Sequence, residues 1–269
     1  MSSFPYEIQV YFVFLVNLME EIFQVLFLVF IGFLAGVINT LAGGGSLLTL
    51  PVLIFLGLPP HIANGTNRIA IVVQSLSGAV GYKSKGVTSF PFNVYLGISA
   101  SIGAYLGAQI AIDIDAYIFN KILAILMVVV GILILLRQKK LEIKLPERLN
   151  GKYLFWSILG FFIIGIYGGF INAGIGIVIM LFLNRFNYMP LVKTNATKVV
   201  VVFIYSTVAL IIFSFNDAVD WKTGLIMAFG TSFGGWFASR WSVKKGDQVI
   251  RYIMLSTVFI MAFKLWFFE

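Results

Sequence analysis

Leu41-Ala42-Gly43-Gly44-Gly45-Ser46 breaks one long apolar stretch, and Asn172-Ala173-Gly174-Ile175-Gly176 breaks another. Glycine clusters inside apolar sequence free backbone polar groups, which a bilayer tolerates only where protein or a wet cavity satisfies them. A short helix starting just after each break would aim its first N–H groups into that cavity. Such helix starts carry roughly half a positive charge and bind anions. Close helix packing is the competing use of these glycines, and the pairing of two breaks favours a site. Neither break is a nucleotide-binding loop, since the pattern G-x-x-x-x-G-K-[ST] is missing.

The surrounding composition names the solvent. Of 269 residues, 60% are hydrophobic and 11% charged, whereas soluble domains carry about 25% charged residues. Mean hydropathy is +0.98. The chain has no cysteine, which removes disulfides and thiolate chemistry, and its one histidine, His61, gives little basis for zinc or haem. The net charge of +8 reads as membrane orientation rather than nucleic-acid binding.

Apolar runs fall near 22–42, 46–57, 69–82, 91–110, 117–136, 153–172, 175–184, 199–215, 223–239 and 249–268. Eight are read as full-length spans across about 30 Å of hydrocarbon, while 46–57 and 175–184, each just after a glycine break, are too short for an ordinary span and read as half-helices, re-entrant segments or short helices that lengthen into their flanks. Basic residues alternate between loops: Lys83 and Lys85; Arg137, Lys139, Lys140, Lys144, Arg148 and Lys152; Arg185 and Lys193; Arg240, Lys244, Lys245 and Arg251. The positive-inside rule therefore puts 83–90, 137–152, 185–193 and 240–251 in the cytoplasm, with 57–65, 111–116 and 215–221 outside. Residues 1–10 lack a basic leader region, so the first apolar segment is expected to remain in the protein.

Shifting the chain by 131 residues aligns it with itself. Ala42-Gly43-x-Gly45 meets Ala173-Gly174-x-Gly176, Pro59 meets Pro190, Asn64 meets Asn195, Thr66 meets Thr197, and Ser101-x-Gly103 meets Ser232-x-Gly234. Because the loops at Pro59 and Pro190 fall on opposite sides, the halves are expected to be inverted, an architecture of secondary transporters. The expected fold is thus an all-α polytopic membrane protein. It divides into a first repeat at 1–136 (with an N-terminal extension at 1–20), a basic cytoplasmic linker at 137–152, and a second repeat at 153–269. Each repeat holds four or five helical elements with Gly-interrupted short helices.

A second paired feature reads Asn64-Gly65-Thr66-Asn67-Arg68 and Asn195-Ala196-Thr197-Lys198. Asn and Thr cap helices, so capping with cations at lipid headgroups fits. An oxyanion clamp, with Arg68 from one half and Lys198 from the other, fits as well. The stripes Gly32-x-x-x-Gly36, Gly103-x-x-x-Gly107 and Gly230-x-x-x-Gly234 read as packing faces. Gln74, Ser75 and Ser206 are minor candidates for lining a pathway. Span interiors lack Asp and Glu apart from Glu20 and Glu21 at an edge, and no set of catalytic residues is evident, so enzyme activity is not expected.

Residues 32–51, GFLAGVINTLAGGGSLLTLP, and 60–68, with P-x-x-A-N-G-T-N-R, resemble the sulfite exporter TauE/SafE family. Gly81-Tyr82, Lys85-Gly86 and the weaker second copy from Gly174-x-Gly176 to Thr197 extend the resemblance over nearly the whole chain. It implies a permease of the cytoplasmic membrane for sulfite, sulfoacetate or other organosulfonates. It also implies that the glycine blocks and the T-N and T-K elements surround the substrate. The family commonly has T-S where this chain has Thr66-Asn67 and Thr197-Lys198. The candidate substrate set is Gly43, Gly44, Gly45, Ser46, Asn64, Thr66, Asn67, Arg68, Gly174, Gly176, Asn195, Thr197 and Lys198. No cofactor or metal is expected; the partners are a small anion and the lipid bilayer, with no nucleic acid. An anion channel and a non-transporting membrane anchor or regulatory subunit are the competing functions.

Overall fold

The computed structural model describes residues 6–135 and 145–267, and every regular element among them is an α-helix. In chain order these are α1 (Tyr6–Leu41), α2 (Ser46–Phe55), α3 (Pro60–Lys83), α4 (Phe92–Asp113), α5 (Ala116–Leu135), α6 (Lys152–Phe170), α7 (Ile175–Arg185), α8 (Leu191–Phe215) and α9 (Trp221–Phe267).

Four stretches among the described residues are both long and apolar enough to span a bilayer: Leu18–Leu41, Phe92–Asp113, Lys152–Phe170 and Leu191–Phe215. The chain is a multi-pass membrane protein. Helix α3, with 24 residues, is long enough but is not uniformly apolar. Its inner face buries Asn64, Thr66, Asn67, Arg68, Gln74 and Ser75, while Leu76 and Val80 are exposed. That pattern inverts a water-soluble helix and fits a span that shows lipid its apolar side and keeps its polar side within the bundle. Helices α2 and α7 have 10 and 11 residues. At 1.5 Å per residue each covers about half the hydrocarbon thickness. The two short runs are therefore half-helices, not spans.

Three sequence expectations shift at their edges. The loop expected at 57–65 stops at Pro59, because Pro60 opens α3, where proline's missing N–H costs nothing. Asn64 to Arg68 consequently lie within a helix. The runs 223–239 and 249–268 join in the single helix α9, with the charged segment 240–251 helical throughout. Lys and Arg are good helix formers, and the lone Gly246 weakens such a helix by about 1 kcal/mol without ending it. Residues 6–20 of the expected N-terminal extension continue directly into the first span as part of α1. In the expected linker, Arg137, Lys139, Lys140 and Lys144 lie outside the described residues. Its described end is pinned to the α7–α8 loop: the Arg148 amide donates to the Asn187 carbonyl (3.0 Å), and Asn187 Nδ2 donates back to the Arg148 carbonyl (2.7 Å). The Arg148 guanidinium sits over the rings of Tyr153 and Tyr188.

Three seams of similar extent hold the bundle together, α1 on α9, α4 on α6 and α3 on α9. In the first two, glycines face backbone along the seam. A Cβ on Gly230 would lie 2.0 Å from the Val29 carbonyl oxygen, and one on Gly234 2.2 Å from that of Phe33. Across the other seam, Gly103 and Gly107 would meet the Phe162 and Ile166 oxygens at 2.1 and 2.0 Å, while Gly165 and Gly169 would meet those of Ala100 and Ala104 at 2.1 and 2.2 Å. Lipid tails offer no hydrophobic drive for helix association, so such close backbone approach supplies the attraction.

The 131-residue spacing also recurs in the backbone. Of the seven described residues with positive φ, six form three pairs at that spacing: Gly43 with Gly174, Gly57 with Tyr188, and Gly86 with Asp217. Each pair turns the chain at matching points of the two halves.

Replacing Gly107 by Val should force α4 and α6 apart and lower stability by about 1–3 kcal/mol or more. Thermal unfolding of the detergent-purified protein measures this, and an unchanged midpoint would mean the seam can yield.

Candidate functional site

The broken helices converge at the buried centre. Helix α1 ends at Leu41, the chain turns through Gly43 (φ 82°), and α2 starts at Ser46. Helix α6 ends at Phe170, the chain turns through Gly174 (φ 72°), and α7 starts at Ile175. The two turns touch backbone to backbone: a Cβ on Gly43 would lie 2.3 Å from the Gly176 carbonyl carbon, so neither position admits a side chain. Asn172 Nδ2 donates to Ser46 Oγ (3.1 Å), bridging the breaks, and the Tyr205 hydroxyl donates to Asn172 Oδ1 (2.6 Å). A helix leaves its first amides without intrahelical acceptors. Among the described residues, the amides of Gly44, Gly45 and Ser46, and those of Ile175 and Gly176, have no protein acceptor, whereas Leu47 and Ile177 bond back into the turns.

The opposite ends of the breaks present carbonyls, and here the buried cations are used. Arg68 Nη1 donates to the Gly168 carbonyl (2.5 Å) and Nη2 to that of Gly169 (2.8 Å), while Asn64 Nδ2 donates to that of Phe170 (2.8 Å). These are the last carbonyls of α6. In the mirror arrangement, Lys198 Nζ donates to the carbonyls of Asn39 (2.8 Å) and Thr40 (3.0 Å), and Asn195 Nδ2 to that of Leu41 (3.2 Å). These are the last carbonyls of α1. Each asparagine also accepts from its own cation, Asn64 from Arg68 and Asn195 from Lys198. A helix C-terminus carries partial negative charge and free acceptors, so a cation there satisfies both. Each half thus caps the broken helix of the other.

Between the breaks lie two narrow crevices, divided by Asn39 and Gln74, which line both. Asn39 Nδ2 donates to Gln74 Oε1 (2.7 Å), and Gln74 Nε2 donates to Thr40 Oγ1 (2.7 Å). One crevice reaches Gly45, Ser46, Thr49 and Asn67; the other reaches Ser75, Asn172, Gly176 and Lys198. The first has about 10 Å³ of free space, roughly one water. The conformation is closed to any oxyanion. Two buried polar atoms that line the crevices lack partners, Asn67 Nδ2 and Ser75 Oγ. Asn67 uses its oxygen to accept from Thr49 Oγ1 (2.7 Å), which leaves its amide nitrogen as the unpartnered group.

The sequence-derived set therefore divides by place. Gly43, Gly44, Gly45, Ser46, Gly174, Gly176 and Asn67 gather at the centre, with Lys198 alongside. Arg68, Asn64 and Asn195 brace the broken helices. Thr66 and Thr197 sit farther out, bonded to chain segments outside the centre: Thr66 Oγ1 accepts from the Asp220 amide (2.8 Å), and Thr197 Oγ1 lies 2.7 Å from Ser89 Oγ. Asn39, Thr49 and Asn172 are central residues outside that set. An Ile-Asn pair precedes both breaks, Ile38-Asn39 and Ile171-Asn172. A gapless shift hides it, because the second half is two residues shorter between that pair and its glycine turn.

A sequence profile for the sulfite exporter TauE/SafE family matches residues 28–265, from within α1 almost to the end of α9. The chain belongs to that family. TauE/SafE relatives include a probable membrane transporter protein of Haemophilus influenzae, 29% identical over 87% of this chain and 91% of its own. Another is the probable membrane transporter protein ORF9 of a Sinorhizobium species, 26% identical over 89% and 91%. The probable membrane transporter protein YfcA of Escherichia coli K12 is 28% identical over 88% of each. No solved structure matches the chain.

Removing a capping cation should leave buried carbonyls bare, at about 1–3 kcal/mol for each. Arg68→Met and Lys198→Met should both melt earlier in detergent with no anion present, and Arg68→Lys, which keeps one donor group, should fall between. Wild-type melting in both Met variants would exclude the capping role.

Proposed function

We propose that the chain is a secondary transporter of the cytoplasmic membrane, and not an enzyme, which carries small oxyanions by alternating access between two inverted halves at 1–136 and 153–269. Sulfite and organosulfonates such as sulfoacetate are the leading substrates. The observation that carries this reading is the meeting of two half-helix starts, with unpaired amides, at one buried point lined by Lys198, while a second buried cation, Arg68, braces the helix that leads into one of the breaks. All Arg68 acceptors are neutral, and α2, α3, α6, α7 and α8 contain no Asp or Glu. Helix ends of opposite sign nearly cancel, each worth roughly half a charge, so the arginine leaves this region net positive. A charge held so deep in a bilayer is costly, and an anion entering beside it offsets that cost.

Donors suited to an oxyanion line the two adjoining crevices: the Gly45 and Ser46 amides and Asn67 Nδ2 on one side of the Asn39–Gln74 pair, and the Ile175 and Gly176 amides and Ser75 Oγ on the other. They supply several hydrogen bonds to a tetrahedral or pyramidal sulfur group. The closed crevices argue for a carrier over an open channel, because the centre must change shape before it admits a substrate. The paired left-handed turns and the reciprocal caps support the duplication, and the alternation of basic loops supports its inversion. The family, one of sulfite exporters, and relatives named as probable membrane transporter proteins point the same way.

Purified protein in liposomes should carry labelled sulfite or a small sulfonate with saturation and counter-transport. Asn67→Leu should cut that flux about tenfold or more, the worth of a hydrogen bond to a charged group, while keeping its monodisperse elution. Flux no greater than in empty liposomes would sink the substrate class, and full flux in Asn67→Leu would remove that residue from the site.

A further inference from the structure

We infer that Thr66 and Thr197 are gate latches, each holding shut one face of the protein by gripping a loop of the opposite half. This rests on the transporter reading above. Thr66, fully buried in α3, accepts the Asp220 amide at 2.8 Å. Asp220 is the residue that opens α9: its carboxylate accepts from the Thr223 amide and hydroxyl. Thr66 therefore grips the loop between α8 and α9 at its last turn. Thr197, fully buried in α8, donates its hydroxyl proton to the Lys193 carbonyl and so accepts from Ser89 Oγ at 2.7 Å. Ser89 lies in the loop between α3 and α4, and its carbonyl accepts from the Asn93 amide in the first turn of α4.

The two grips match residue for residue. Thr66 and Thr197 are 131 residues apart, and so are Ser89 and Asp220. The neighbours match too: a Cβ on Gly65 would lie 1.9 Å from the Ala218 oxygen, and the residues 131 from these, Ala196 and Val87, pack in one apolar cluster. Both loops carry their left-handed residue at the equivalent place, Gly86 and Asp217. One hydrogen bond thus fixes each loop, at equivalent points, against the helix that carries that half's asparagine and capping cation. By the charge alternation of the loops, the Thr66 latch faces outside and the Thr197 latch faces the cytoplasm. Both are engaged while the central crevices are closed. Releasing one should let one loop swing off one helix and admit solvent from that side alone.

The chain has no native cysteine, so a single reporter thiol is unambiguous. Ser75→Cys places one at a buried crevice position. Labelling by a membrane-impermeant maleimide is measured from each side in sealed vesicles of known orientation, on its own and with Thr66→Val, Thr197→Val, Thr66→Ser or Thr197→Ser. One hydrogen bond is worth about two- to tenfold in population. Thr66→Val should raise labelling by about that factor from the side of residues 215–221 only, and Thr197→Val from the side of residues 83–90 only. The Ser variants should restore closure, which separates a lost hydroxyl from a damaged fold. Labelling that rises equally on both sides, rises on one common side for both Val variants, or fails to rise would overturn the latches. The readout needs no substrate, so absence of sulfite flux with side-specific labelling would discard the substrate reading and leave the latches standing.

Discussion

The structure depends on a cation from one half being spent on the broken helix of the other. Two helices end in the middle of the bundle, where no water is on hand to satisfy their last carbonyls. Arg68 and Asn64 satisfy α6, and Lys198 and Asn195 satisfy α1. Without those donors the breaks would be prohibitive in a bilayer. With them, the chain can end a helix inside the bundle and start another there, so free amides face one buried point. Under the proposed function, the charge that closes the carbonyl ends is also the charge that would draw an anion to the centre.

How far the sequence could be read depended on what kind of signal each residue leaves. Membrane class, the shortness of the two runs after the breaks and the paired glycine turns were legible, because apolar length and glycine clustering are local properties. The shared centre of Gly43–Ser46 with Gly176 was implied by the pairing of the breaks together with the family resemblance. The partners of Arg68 and Lys198 were not legible: their acceptors are backbone carbonyls about 100 and 159 residues away, and every residue has a carbonyl. Asn39 and Asn172 escaped notice because a two-residue difference before each turn shifts them out of register. The start of α3 was misplaced for a different reason. A helix whose inner face is Asn, Thr and Arg reads as loop when the search is for apolar runs, although its outer face meets lipid.

The recurrence at 131 residues places two tasks on neighbouring residues. Within five residues of α3, Asn64 and Arg68 brace a broken helix, Asn67 lines a crevice, and Thr66 holds the loop between α8 and α9. In α8 the same turn gives Asn195 and Lys198 to the brace and Thr197 to the loop. Centre and periphery are thus linked through one helical turn on each side. A small rotation of α3 or α8 would disturb the brace, the crevice and the loop together, which is the coupling that the proposed alternating access would use.

The glycine seams bear on how the protein is made. Neither seam lies within a half: α1 finds its partner in α9, and α4 finds its partner in α6. A ribosome that has delivered only α1 to α5 has released helices with exposed glycine grooves and, at the end of α1, carbonyls that Lys198 has yet to cap. Helix α4 finds its partner as soon as α6 emerges, whereas α1, the first helix made, waits for α9, the last. One seam therefore closes midway through synthesis and the other only at its end, and truncation before Gly230 would strand α1 rather than trim an edge.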